Sequence, residues 1–150
     1  MFDPQSFLDT SIEGANSTQS IPVPAGDYTA VIDKVTSRQW TKKDDPTVSG
    51  VALDIIWSID DQSVKELLDR DKVVVKQGIM LDMNDTGTGL DMGKGKNVGL
   101  GRLREALGKN NPGESFSFSQ LPGCVAKIRV KHRADKDQIF AEVEAVSRLA

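Results

Sequence analysis

The sequence contains a single cysteine, Cys124, and a single histidine, His132. One cysteine cannot form an internal disulfide, and a metal cluster or a cysteine–histidine catalytic site would depend on these two lone residues, so we expect both to be structural. No apolar run approaches the roughly 20 residues that a membrane-spanning helix needs. The opening MFDPQSFLDTSIEG has acids where a signal peptide has bases, and it lacks an apolar core. We therefore expect a cytoplasmic protein without metal, cofactor or membrane partner.

Aromatic residues are also scarce, at 5% of the 150-residue chain, whereas 38% of the residues are hydrophobic and 27% are charged. This composition is ordinary for a soluble globular protein. The length is typical of one domain and allows a core to form without disulfides. With so few aromatic residues, any ligand that is bound through stacking has few rings to use.

The net charge of −3 argues against a nucleic-acid ligand, but the charges are unevenly distributed. Residues 1–90 carry a net charge of −7, residues 91–138 carry +5, and the remaining residues carry −1. A basic face on an acidic protein attracts phosphate locally, whatever the total charge. The alternative is chance clustering on a solvated surface, and charge counts alone leave both readings open.

Alternating β-branched and aromatic residues predict five strands, at 27–40, 51–60, 72–83, 124–133 and 138–149. Asn97 as N-cap, leucines at helical spacing and Gly108 as C-terminal cap predict a helix over 97–108. A short helical turn is expected within 61–71. The order, with one helix between the third and fourth strands, is that of the OB-fold, a five-stranded all-β barrel.

The OB-fold domain is expected to span residues 26–150. Residues 1–25 are polar and end in SIPVPAG, which predicts an extended N-terminal arm before the first strand. Phe2, Phe7 and Leu8 are the bulky residues by which this arm would dock on the domain. The alternative is a frayed terminus.

The stretch DMGKGKNVGLGRLREALG, residues 91–108, combines glycines with basic residues and suggests a phosphate contact. The P-loop spacing fails, because Met92 and Lys94 stand where a second glycine is needed after Gly87 and Gly89. The dinucleotide pattern fails at Val98 and Arg104 for the same reason. We therefore expect no nucleotide hydrolysis. Lys94, Lys96 and Arg102 remain candidates for holding phosphate beside a helix N-terminus, against the alternative of an ordinary glycine-rich connection.

The segment VAKIRVKHR alternates apolar residues with cations. In a strand this spacing places Lys127, Arg129, Lys131 and Arg133 on one face, with neighbouring cations about 7 Å apart. No acid lies between residues 124 and 134. The pattern therefore favours a surface that binds a polyanion over a solvated face of mixed charge. We call these four residues the cationic ladder.

The two tryptophans have different surroundings in the sequence. Trp57 shares a strand face with Leu53, Ile55 and Ile59, which predicts a core position. Trp40 lies at a strand end among Arg38, Lys42 and Lys43, and it is the best candidate for an aromatic platform on which a base could stack.

Asp82, Asp85 and Asp91 lie close in sequence and raise the alternative of a metal-dependent nuclease. They lack a histidine or glutamate at ligand spacing, so we interpret them as loop and turn residues and expect no enzyme activity and no metal site.

Several segments together resemble a group of phage-encoded single-stranded DNA-binding proteins with OB-folds: FDPQSFLD, EGANSTQSIPVPAGDYTAVI, NVGLGRLREALG and PGCVAKIRVKHRADKDQIFAEVEAV. The resemblance implies a protein of the host cytoplasm that coats single strands during phage DNA replication and recombination. The partners it implies are single-stranded DNA and phage replication or recombination proteins. A homo-oligomer, namely a dimer, is a separate expectation.

The chain departs from this group at its end. Many replication single-strand binders end in an acidic tail that recruits enzymes, whereas this sequence ends in SRLA. An internal acidic surface is the substitute to consider. The alternative function is an OB-fold protein–protein interaction module of the phage replication machinery, with the acidic first ninety residues as its working surface.

Overall fold

The computed structural model describes residues 1–149, in which five strands close into a barrel. The strands are β1 (Gly26–Thr41), β2 (Ser49–Ile59), β3 (Val73–Leu81), β4 (Val125–Asp135) and β5 (Gln138–Ser147). Their order around the barrel is β1-β2-β3-β5-β4, and β4 pairs back with β1. The five predicted strands and the mostly β architecture are confirmed.

Strand β1 is 16 residues long and joins two sides of the barrel. Its first part pairs with β4, from Gly26↔Val130 to Val31↔Val125, and from Ala30 onward it pairs with β2, as far as Thr41↔Ser49. A register shift between Ile32 and Lys34 accommodates the change of partner. Strands β3 and β5 are parallel and share one register pair, Lys76↔Glu142, so this seam is the weakest of the barrel.

The expectation of a single helix needs correction, because the described residues form three α-helices: α1 (Pro4–Phe7), α2 (Gln62–Leu68) and α3 (Val98–Ala106). Helix α3 lies between β3 and β4, as the sequence pattern predicts. Helix α2 is the short turn expected within 61–71, and the Asp61 carboxylate caps it by accepting a hydrogen bond from the Val64 N–H at 3.2 Å.

The two ends of α3 differ in how well the sequence predicts them. Gly108 has φ +70°, and its N–H and that of Lys109 bond to the carbonyls of Glu105 and Arg104, which closes the helix as expected. Asn97 occupies the N-cap position, as predicted, but its side chain does not cap the helix. It has φ +53° and makes no side-chain cap bond. Its side chain instead binds the main chain of Asp82, which fastens the start of α3 to the end of β3.

The barrel interior is filled by the alternate residues of its strands. Trp57 is fully buried together with Leu53, Ile55 and Ile59, which confirms the predicted core face of β2. The Trp57 indole N–H donates to the Gln77 Oε1 at 2.8 Å. Leu100 and Leu103 of α3 are buried in the same core, so this helix packs on the barrel through its apolar face.

The arm does not dock through the residues that the sequence suggested. Phe2, Phe7 and Leu8 are all exposed, and α1 interrupts the extended course expected for residues 1–25. The arm is held instead near its junction with β1, where Val23 is buried and Gln19 Nε2 donates to the Ile139 carbonyl at 2.9 Å. Across the described residues, no helix is long and apolar enough to cross a membrane.

Candidate nucleic-acid interface

The cationic ladder lies on the outer face of β4. Ala126, Ile128 and Val130 are buried in the barrel, and the four cations between and after them are exposed. The alternation of side chains along a strand produces this separation. The ladder is therefore a surface feature, available for contact with a ligand.

Every cation of the ladder has a carboxylate partner. Asp27 of β1 lies 3.0 Å from Arg129 and 3.9 Å from Lys127. Glu142 of β5 lies 3.7 Å from Lys131 and 3.2 Å from Arg133. The absence of acids between residues 124 and 134 does not leave the row unpaired, because the neighbouring strands supply them.

The contact between Arg129 and Asp27 is the best defined of these pairs. The guanidinium donates a hydrogen bond to the carboxylate, which lowers the pKa of Asp27 below its ordinary value and raises the pKa of Arg129. Both groups are exposed, so the pair contributes little to stability. Its effect is on binding, because a phosphate that contacts Arg129 must compete with a carboxylate already in place.

A second cationic surface lies on the outer side of β1, β2 and β3, which we call the hairpin face. The strand registers place its residues in rows: Lys34, Ile56 and Lys76, then Thr36, Asp54 and Gly78, then Arg38, Ala52 and Met80, then Trp40 and Gly50. Three cations thus share this face with one carboxylate. The ratio of cations to carboxylates is higher than on β4.

Asp54, the single acid of the hairpin face, is only 8% exposed. One of its oxygens accepts a hydrogen bond from Arg38 Nε at 2.8 Å, and the other lies 3.6 Å from Lys76 Nζ. Gly78 pairs with Asp54 across β2 and β3, and a Cβ added to this glycine would lie 3.7 Å from the same carboxylate. Asp54 therefore holds two cations side by side, with their charged ends at the surface.

Trp40 lies on the hairpin face and covers Gly50, its partner across the β1–β2 pair. A Cβ built on Gly50 would be 2.6 Å from Cζ2 and 2.8 Å from Nε1 of the indole, so the ring lies directly on the glycine backbone. The indole remains partly exposed. Its N–H is buried and has no hydrogen-bond partner among the described residues. Because Gly50 has no side chain, the indole can lie directly against the sheet at this position, and this contact holds the ring at the surface.

The remaining predicted site residues lie in two loops. Lys42 and Lys43 belong to the β1–β2 turn, where Lys42 N donates to the Val48 carbonyl at 2.8 Å. Lys94, Lys96 and Arg102 lie before and within α3. Within residues 1–149 none of these five exposed cations forms an ion pair, in contrast to the ladder.

The structure brings only part of the predicted set together. Arg38, Trp40, Lys42 and Lys43 share one end of the β1–β2 pair, and the loop that carries Lys94 and Lys96 starts beside it, since Leu81 pairs with Val51. The ladder lies apart from these residues. Its Lys127 pairs with Thr29, and Thr29 lies roughly 36 Å along β1 from Trp40.

Sequence reasoning missed Lys34, Lys76 and Asp54 as parts of a charged surface. The period of two in β3 carries the signal for Lys76, because Val73, Val75, Ile79 and Leu81 are buried and the residues between them point outward. Phe140 is a surface residue as well. It pairs with Arg133, whose guanidinium lies 5.2 Å from the ring centroid.

Two of the three loop aspartates, Asp82 and Asp91, have structural partners. Asp82 accepts a hydrogen bond from Asn97 N at 2.8 Å, and Asp91 accepts one from Gly93 N at 2.8 Å. Among the described residues, no group of three or more histidine, cysteine, aspartate or glutamate side chains is arranged to hold a metal ion. These contacts agree with interpreting both residues as parts of the loop framework.

Comparison with known proteins adds no family assignment: neither a family model nor a curated protein matches the chain.

Proposed function

We propose that the chain is an OB-fold protein that binds single-stranded DNA without sequence preference and without catalysis. The order β1-β2-β3-β5-β4, the parallel contact between β3 and β5, and the position of α3 after β3 support the OB-fold assignment. Phosphates would be neutralised by lysine and arginine, and a base would stack on an aromatic ring.

The observation that carries this proposal is the position of Trp40. Its indole lies on Gly50 at the sheet surface, next to Arg38 and to the unpaired Lys42 and Lys43. A partly exposed ring beside cations is the combination by which proteins hold single strands independently of sequence. We infer that the bound DNA strand crosses the hairpin face and that the cationic ladder contributes weaker, peripheral contacts.

The resemblance to phage-encoded single-strand binders suggests the biological setting, namely the coating of exposed strands during phage DNA replication and recombination in the host cytoplasm. A second candidate is the protein–protein interaction module. The segment around α2 favours it, because five carboxylates fall between residues 60 and 71. Titration with oligo(dT), read by fluorescence anisotropy, separates the two functions, since only the first predicts binding.

The salt dependence of oligo(dT) binding tests which cations contact phosphate. For single strands the log–log slope is about −0.7 per neutralised phosphate. Lys42→Ala combined with Lys43→Ala is expected to make the slope shallower by about 1.4, because two unpaired cations are lost. Arg129→Ala combined with Lys131→Ala is the matched pair. Its effect on the slope should be smaller, because Arg129 and Lys131 already face carboxylates and so neutralise less phosphate charge than the unpaired lysines.

Circular dichroism should be the same for both double variants, since all four side chains are exposed. If the double variant of Arg129 and Lys131 flattens the salt-dependence slope as much as the double variant of Lys42 and Lys43, the DNA lies on β4. Binding by the unmodified protein that does not weaken as salt rises would contradict phosphate neutralisation altogether.

A further inference from the structure

The arm exposes more apolar surface than a solvated terminus needs. Phe2, Phe7, Leu8 and Ile12 are 68%, 59%, 75% and 72% exposed. The rings of Phe2 and Phe7 pack against each other, with centroids 5.3 Å apart. Contiguous exposed apolar groups commonly mark an interaction site. Residues 1–25 also contain three carboxylates and neither lysine nor arginine, so a partner surface should be apolar and basic.

The apolar part of the arm has a local structure of its own. Asp3 caps α1 by accepting a hydrogen bond from Gln5 N at 3.0 Å, and Pro4 occupies the first turn. Phe7 N donates to the Asp3 carbonyl, and Thr10 N donates to the Phe7 carbonyl. The turn that presents Phe2 and Phe7 is therefore formed by its own residues, without support from the barrel.

A groove that, like the arm, exposes apolar side chains lies beside α3. Two adjoining cavities of about 470 and 410 Å³ share Leu90, Met92, Leu100 and Arg104. Met92 is 81% exposed, and Phe116 and Phe118 extend the apolar floor.

The rim of this groove carries both cations and carboxylates. Lys96, Arg102 and Arg104 line it together with Asp91, Glu105 and Glu114. Glu105 is paired with Arg148, and Arg104 lies over the Phe116 ring. Lys96 and Arg102 form no ion pair within residues 1–149, so they can meet the carboxylates of the arm.

The arm and the groove belong to opposite ends of the molecule. The arm leaves the barrel at the start of β5, where Gln19 contacts Ile139. Helix α3 packs at the end of β5, where Glu105 contacts Arg148. The nine residue steps from Ile139 to Arg148, almost all of them within β5, span roughly 30 Å.

This separation disfavours docking of the arm within its own chain. The segment between Phe7 and Gln19, taken as a flexible chain, has an average span of roughly 20 Å. To carry Phe7 into the groove of the same molecule, the segment would have to stretch to roughly 30 Å or more, well beyond this average. The groove of a neighbouring molecule can be reached by an arm that is not stretched beyond its average span.

We propose that the arm of one copy docks, through Phe2 and Phe7, in the groove beside α3 of a second copy. The contact joins different surfaces on the two partners, so it is head-to-tail and leaves a free arm and a free groove at the ends of each assembly. The proposal concerns the protein alone and is independent of the proposed DNA binding.

Sedimentation velocity of the full chain without DNA, over a range of concentrations, tests this contact. The unmodified protein should associate progressively as its concentration rises. Phe2→Ala combined with Phe7→Ala removes the apolar anchors, and Met92→Glu places a negative charge in the groove. Each change alters exposed side chains and should weaken self-association by about tenfold or more while leaving the fold intact.

A mixture of the two variants provides the sharpest test. The double phenylalanine variant retains its groove and Met92→Glu retains its arm, so a 1:1 mixture should form a dimer and nothing larger. A protein that stays monomeric at all concentrations would overturn the proposal. So would an arm variant that associates like the unmodified chain, a Met92→Glu variant that does so, or a mixture that forms no dimer.

Discussion

Trp57→Ala should lower the free energy of unfolding by about 3–5 kcal/mol, the range for truncating a large aromatic residue in a core. Trp57 is fully buried on the inner face of β2, and its removal leaves a cavity that the surrounding strands can fill only in part. It also removes the donor to Gln77 Oε1, which leaves that amide without its indole partner. Urea denaturation followed by circular dichroism measures the loss.

Trp40→Ala is the matched control for this substitution. The same change of residue type on the hairpin face removes a partly exposed ring, so it should cost clearly less stability than Trp57→Ala. Equal losses at the two positions would mean that the indole on Gly50 is as much a part of the core as Trp57, which would contradict its assignment to the binding surface.

The affinity for oligo(dT) should fall more with Trp40→Ala than with Trp57→Ala, the reverse of the order expected for stability. Trp40→Ala is expected to weaken binding by about 1–3 kcal/mol, the range for a base stacked on an aromatic side chain. The ring is fixed by contact with Gly50 and stands beside Arg38, so little ordering is needed before a base stacks on it. Anisotropy titrations at one fixed salt concentration give the difference.

Trp40→Phe separates stacking from the indole N–H. Phenylalanine keeps an aromatic face and should retain most of the affinity that alanine loses. Affinity unchanged by the alanine substitution would remove Trp40 from the contact, and binding would then depend on the lysines and arginines alone.

The parts of the fold that the sequence predicted are those set by local patterns. The alternation of Ala126, Ile128 and Val130 with cations defines β4 and its outer face without knowledge of the neighbouring strands. Gly108 likewise marks the end of α3, because a left-handed residue is needed there.

The errors concern contacts between residues that are distant in the sequence. Asp27 lies 102 positions from Arg129, and only the β1–β4 register brings it against the ladder. Asn97 has a residue type suited to capping, but Asp82 at the end of β3 binds its side chain and sets its conformation. Whether Phe2 and Phe7 reach the barrel also depends on tertiary contacts that their spacing does not encode.

The most direct test of the central claim uses two single-tryptophan variants titrated with oligo(dT). Trp57→Phe leaves Trp40 as the only tryptophan, and its fluorescence should be quenched to a plateau as the oligonucleotide binds. Trp40→Phe leaves Trp57 inside the barrel, and its emission should barely change. Circular dichroism of both variants verifies the fold. Quenching that follows Trp57, or no quenching of Trp40 while anisotropy reports binding, would contradict a DNA path across the hairpin face.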